Sequence, residues 1–137
     1  MSEQAAKILS QHWLEKSYEA NESATVLLEH RQYAGCVNRL YYAAFYALSA
    51  ALAKRGLSYG KHSAVRASMH RDFVKTGLLS ADAGMIYNRL FEWRQKADYE
   101  VLLKVDEFMA RDLYKQTEEL VTELRRLEES GDFQPPS

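Results

Sequence analysis

Cysteine occurs once, at Cys36, and proline only as Pro135 and Pro136, so two common devices for fixing a backbone are missing from this 137-residue chain. One thiol cannot close an intramolecular disulfide, which fits a reducing cytoplasm. With no proline before Pro135, no earlier segment is barred from being helical. No run alternates apolar and polar residues between turn dipeptides, as strands do. Nor is any charge-free apolar stretch long enough to cross a bilayer. Met1 to Trp13 carries Glu3, Gln4, Lys7, Gln11 and His12 among few apolar residues and does not read as a signal peptide. The formal charge is −1, so no global basic field recruits nucleic acid or membrane. These absences together predict a soluble cytoplasmic protein with no membrane partner.

Familiar catalytic signatures are also missing. His12, His30, His62 and His70 are scattered, with no His-Glu-x-x-His pair and no carboxylate–histidine helix pattern. There is neither a phosphate-binding glycine loop nor a dinucleotide fingerprint. Cys36, between Gly35 and Val37, reads as a small packing residue rather than a nucleophile. No metal and no cofactor are expected.

What the chain does have is helical periodicity. The length suits one domain with its own core, over residues 1–130, followed by a flexible C-terminal tail at 131–137. A first helix is expected over about Gln4 to His30, with Trp13, Ser17, Ala20, Ala24, Leu27 and Leu28 as its buried seam. Arg31-Gln32-Tyr33 reads as a turn, and a second helix from about Ala34 to Arg55 stops at Gly56. In that helix Tyr41, Phe45, Leu48 and Leu52 form one stripe, Tyr42, Tyr46 and Ser49 lie beside it, and alanines fill the rest. A helix apolar almost all round belongs in the middle of a bundle or at a subunit interface. Its tyrosine hydroxyls then need partners or water.

After the loop Gly56 to Gly60, a third helix is expected from Lys61 or His62 to Lys75, ended by Gly77. Ser80 is the N-cap of a fourth through about Gln95. A fifth begins between Glu100 and Asp106, with Met109, Leu113, Leu120, Leu124 and Leu127 along one face. Short links favour antiparallel neighbours. The expected fold is all-α, an antiparallel up-and-down bundle of four main helices plus one shorter helix.

Charge is distributed unevenly. From Lys54 to Lys75 six bases oppose one acid, a net +5, whereas Glu100 to Glu129 holds nine acids and five bases, a net −4. Such runs are usually solvated faces, yet the polarity also suits steering of an anion to one end. Arg94 stands out locally, because helical steps back from it meet Phe91, Leu90 and Tyr87. A guanidinium on such a stripe either snorkels to water or holds an anion.

Four segments then occur in order: Asn38 to Ala47 (NRLYYAAFYA), Lys61 to Val65 (KHSAV), Phe73 to Leu79 (FVKTGLL) and Arg94 to Tyr99 (RQKADY). Together they resemble the HEPN domain (higher eukaryotes and prokaryotes nucleotide-binding), in its small stand-alone prokaryotic form, over roughly residues 5–130. The resemblance implies a homodimeric helical bundle, often encoded beside a small nucleotidyltransferase as a toxin–antitoxin pair. It also implies, for many members, metal-independent RNA cleavage by an Arg followed after four to six residues by His. Histidine suits the proton transfers and arginine the phosphate charge.

Arg94 matches the family arginine, but no histidine follows it, and Tyr99 stands where one is expected. A tyrosine phenol ordinarily ionises only at about pH 10, which makes it a poor base at neutral pH. Arg55 and His62 meet the spacing arithmetically but flank the Gly56 to Gly60 loop, and are set aside.

The favoured expectation is the HEPN half of a two-gene module with a nucleotidyltransferase partner, in a toxin–antitoxin or nucleotide-binding role, without the usual ribonuclease site. Arg94, Arg39, Lys61 and His62 are the candidate nucleotide- or anion-binding residues, and Tyr99 the candidate for modification by the transferase. Two alternatives stay open. One is an RNA endonuclease toxin with a diverged catalytic site of Arg94, Asp98 and Tyr99; the other is a non-catalytic dimeric scaffold. An Arg94–Asp98 ion pair, if the helix continues that far, is the purely structural reading.

Overall fold

The computed structural model describes residues 1–100 and 103–134 and is helical throughout its regular elements. Helix α1 (Glu3–Glu29) starts at Ser2, whose hydroxyl accepts the Ala5 amide at 3.0 Å. Arg31, at φ 60°, reverses the chain into α2 (Tyr33–Lys54). Gly56, at φ 82°, lets the Leu57 amide donate back to the Leu52 carbonyl and ends that helix, as its position predicts. Helix α5 (Glu107–Ser130) is capped by Asp106, which accepts the Met109 amide at 2.8 Å.

Two boundaries differ from expectation. The third helix is not continuous: α3 (His62–Ser68) passes into a π-helical segment, Met69–Val74, before Gly77 turns the chain at φ 84°. Ser68 donates to the Asp72 carboxylate and Thr76 to the Asp72 carbonyl, so side chains tie off the wide turn. Helix α4 (Ala81–Tyr99) runs beyond Gln95, so Asp98 and Tyr99 belong to the helix, past its expected end. Ser80 caps it as predicted, accepting the Ala83 amide while donating its own amide and hydroxyl to Glu123 of α5.

Contacts set the directions. Ser10 donates to the Ala50 carbonyl and Ser17 to the Ala43 carbonyl, each at 2.8 Å, so α1 and α2 are antiparallel. Tyr87 lies against Tyr41 and Trp93 near Val37, making α4 antiparallel to α2. Ser80 meets Glu123, and Arg89 meets Asp112 at 3.0 Å, so α4 and α5 are antiparallel too. The four long helices thus alternate up and down, with α2 and α5 packed across the short diagonal. Helix α2 has 14 of its 22 residues buried, which is why its sequence is apolar nearly all round.

The α1–α2 seam runs on small residues. Ala20, Ala24, Ala43 and Ala47 are each at most 3% exposed, and a Cβ on Gly35 would come within 3.3 Å of Leu27. Ala6 and Ser10, outside the expected seam, extend it toward the N-terminus. Ser10 also donates to Glu128, a buried carboxylate that Lys54 approaches at 3.9 Å. Residues 131–134 of the expected tail return over the end of α2, where the Gln134 amide donates to the Arg55 carbonyl; residues 135–137 lie outside the described residues.

Filling this seam has a predictable cost. Ala43→Leu, at a fully buried position, is expected to lower stability by about 1–3 kcal/mol through overpacking, read as an earlier urea midpoint at unchanged slope. An unchanged midpoint means that the two helices are not held at contact distance there.

Candidate functional site

Tyr41 and Tyr42 project from α2 toward the junction of α3 and α4, and the charged residues of interest gather around them. Tyr41 is fully buried. Its hydroxyl lies 2.8 Å from Nδ1 of His62, the first residue of α3. The His62 ring stacks on Phe45, with centroids 4.2 Å apart and planes 13° apart. From α4, the Arg94 guanidinium sits 5.4 Å from the Tyr41 ring centre and 5.8 Å from that of Tyr42, and its Nε donates to the Tyr42 hydroxyl at 3.4 Å. Arg39 covers Tyr42 at 4.8 Å while donating two hydrogen bonds to Asn38.

The helical stripe explains how Arg94 arrives. Tyr87, Leu90 and Phe91 are each at most 2% exposed and carry α4 against α2, so Arg94, one turn on, lands half-buried at the rim of the core. His62 arrives because Gly56 ends α2 and the loop turns α3 back across it. Arg66, four residues after His62 on the same face, places its guanidinium 4.0 Å from the Phe91 ring centre. Sequence reasoning passed over Arg66, and its i,i+4 relation to His62 was the available signal.

Burial and charge set the protonation states. Burial, with the Arg94 charge as the second cause, holds His62 below its usual 6.5, so the imidazole is neutral at neutral pH. Burial pushes the Tyr41 phenol up to about 12, and Tyr87, deeper still, well above its usual range. Among the described residues the Tyr87 hydroxyl makes no hydrogen bond of standard geometry, although Tyr41 is its neighbour. A neutral imidazole beside a guanidinium can accept a proton while the arginine holds an anion.

Of the candidates drawn from the sequence, Arg94, Arg39 and His62 come together around Tyr42. Lys61 is exposed at the N-cap of α3, next to His62, and makes no capping hydrogen bond. Tyr99 is 86% exposed, five residues beyond Arg94 and past the rim of the cluster. Helix α4 does continue through Asp98, but the Asp98 side chain lies outside the described residues, and with it the Arg94–Asp98 pair. Arg55 turns away from the cluster to bond the Ala51 and Leu127 carbonyls. The Cys36 thiol is buried and raised to about 11, which leaves it unreactive. Among the described residues no group of His, Cys, Asp and Glu could hold a metal ion, and no helix is long and apolar enough to cross a membrane.

The sequence profile of the HEPN domain matches residues 10–127, a span that takes in part or all of every helix of the bundle. The chain belongs to the HEPN family. It is 38% identical over 117 residues to a UPF0332 protein of Thermotoga maritima, covering 85% of this chain and 89% of that one. Two Methanocaldococcus jannaschii proteins, each bearing the name "putative toxin", are both 33% identical. The first aligns over 91 residues, 66% of this chain and 60% of the relative; the second over 86 residues, 63% and 64%. The chain thus spans under two thirds of those two relatives.

In this HEPN chain no histidine follows Arg94 in sequence, but Arg94 and His62 both reach the Tyr41–Tyr42 pair, and the Arg94 charge adds to burial in lowering His62. That coupling gives a test. Arg94→Gln is expected to raise the His62 pKa while leaving it below 6.5, because burial is the larger cause; NMR titration of the ring proton reads it. Since the folded pKa is below the unfolded one, stability linked to His62 is complete above pH 6.5 and is lost as pH falls from there toward the lowered value. A His62 that titrates identically with and without Arg94 removes the coupling.

Proposed function

We propose that this chain is the HEPN half of a two-gene module with a nucleotidyltransferase, acting in a toxin–antitoxin role through an anion site formed by Arg94, Arg39 and His62. The observation that carries this reading is the gathering of two guanidiniums and a neutral imidazole from three helices on the hydroxyl and ring of Tyr42. Phosphate is the anion this set suits: guanidinium forks match its oxygens, and the aromatic floor keeps water from competing on one side. Membership of the HEPN family and the names of the two archaeal relatives support the toxin-like role. The reading includes a homodimer and a cytoplasmic location.

Tyr99 is the proposed acceptor of a nucleotide from the transferase. Its exposure supports this, because an acceptor hydroxyl has to enter another protein's active site. Co-expression with a transferase encoded next to this chain, followed by intact mass, is expected to show added whole nucleotide units, abolished by Tyr99→Phe. An unmodified chain, or one modified equally in Tyr99→Phe, removes Tyr99 from this role.

A second reading, RNA endonuclease activity, is favoured by the convergence of His62 and Arg94 on Tyr41 and Tyr42. His62 would take the proton of a ribose 2′-OH as that oxygen attacks the adjacent phosphorus. The 5′-oxygen leaves and takes a proton from water, giving a 2′,3′-cyclic phosphate and a 5′-hydroxyl, His62 later returns its proton to solvent, and Arg94 stabilises the phosphorane charge. Incubation with total RNA and tRNA in EDTA is the measurement. On this reading His62→Ala and Arg94→Ala each lower cleavage by about 10²-fold or more while thermal unfolding stays cooperative. Intact RNA with the wild-type chain sinks the enzyme reading and leaves the binding module.

A further inference from the structure

Helices α2 and α5 both run antiparallel to α4, so they are parallel to each other and end side by side. Each end presents carbonyls without helical partners and the negative pole of its dipole. Arg55 meets both: its Nη1 donates to the Ala51 carbonyl at 3.1 Å and to the Leu127 carbonyl at 3.3 Å. Its guanidinium carbon lies 5.2 Å from the ring centre of Phe73, in the π-helical segment. Burial lowers the Arg55 pKa, against the opposing charges of Asp132 and Glu128. The chain beyond α5 then closes over this junction. At Gly131 a Cβ would come within 2.5 Å of Arg55 Nη1, so the backbone passes directly against the guanidinium. The Gln134 amide donates to the Arg55 carbonyl at 3.2 Å, and the Phe133 ring rests on Gly56, where a Cβ would come within 2.8 Å of its Cε2.

Gly56 is the residue that this packing holds. It ends α2 at φ 82°, and a glycine there is free to adopt other conformations unless its surroundings exclude them. The connection that follows has Leu57 and Tyr59 against the core, then Gly60 in open space, and leads to His62 at the start of α3. A link with a glycine at each end passes a change at its first turn on to the residue it carries. We infer that residues 131–134 form a strap that fixes the Gly56 turn, with Phe133 as a positioning residue for His62. With the strap in place, His62 arrives stacked on Phe45 and bonded to Tyr41. With the strap off, those two contacts alone hold the ring against a loosened connection. The strap is lightly held, since Phe133 is only half-buried while Asp132 and Gln134 are exposed, so such a segment opens without the core. A partner that draws 131–134 away from α2 would therefore release His62 without touching the arginines. That consequence for the anion site rests on the reading above; the positioning of His62 does not.

Amide hydrogen exchange and NMR titration of His62, both in the full chain, test the inference. Phe133→Ala removes the ring from Gly56, and Phe133→Tyr keeps it. In Phe133→Ala the Leu57 amide, which donates to the Leu52 carbonyl, is expected to exchange about tenfold faster or more. The Leu48 amide, deep in α2, is expected to keep its rate within about twofold. The His62 ring is expected to titrate closer to 6.5, because burial is the larger cause of its lowered value, and Phe133→Tyr is expected to restore both readings. Equal acceleration of Leu57 and Leu48 makes Phe133 a contributor to global stability only and overturns the inference. A Leu57 amide or a His62 titration that does not move in Phe133→Ala overturns it as well. The anion site fails separately: if inorganic phosphate does not bind the wild-type chain, that reading falls, while exchange and titration still decide the strap.

Discussion

The burial of α2 on nearly every side is the constraint from which the rest follows. A helix this apolar is stable only when covered, and α1, α4 and α5 each cover one flank, with the α3 region closing the remaining edge. The alanines let α1 approach closely enough for Ser10 and Ser17 to reach α2 carbonyls. The aromatics do the opposite, holding α3 and α4 at ring distance. That spacing leaves Tyr41 and Tyr42 as the place where α2 meets polar chemistry. The candidate site lies at an edge of the core that is aromatic rather than aliphatic.

The fold was legible because its signals are local. Gly56 and Gly77 at left-handed turns, Ser80 at an N-cap, and the Leu113 to Leu127 stripe each act within a few residues, and each stands where its sequence position indicates. The π-helical segment was not legible, because an α-helical and a π-helical turn accept the same side chains. The end of α4 was misread for a related reason: Asp98 and Tyr99 have middling helix propensity, and neither stops a helix without a breaker.

The candidate site was half legible. Arg94 announced itself by a charge on a buried stripe, and the need of the tyrosine hydroxyls for partners was stated from composition alone. That the partners are His62 for Tyr41 and Arg94 for Tyr42 is a tertiary fact, since these residues are brought together from α2, α3 and α4. Reading the arginine–histidine relation along the chain therefore pointed to Tyr99, while the fold brought His62. The basic run from Lys54 to Lys75 also changes meaning in three dimensions. Lys54 meets Glu128, Arg55 bonds carbonyls, Arg66 lies on Phe91 and Arg71 pairs with Asp72, so much of that +5 is engaged within the molecule.

The π-helical segment bears on His62 through angle. An α-helix advances about 100° per residue, and a π turn accommodates one residue more than an α turn. Met69–Val74 thus works as a phase setting between α3 and the Gly77 turn. Removing one residue from it would restore a regular helix and rotate all of α3 by about 100° relative to α4. His62 and Arg66 would then leave the face that meets Tyr41 and Phe91, with the composition of the chain almost unchanged. In this bundle, the length of one short segment, to the single residue, decides which side chains can be neighbours.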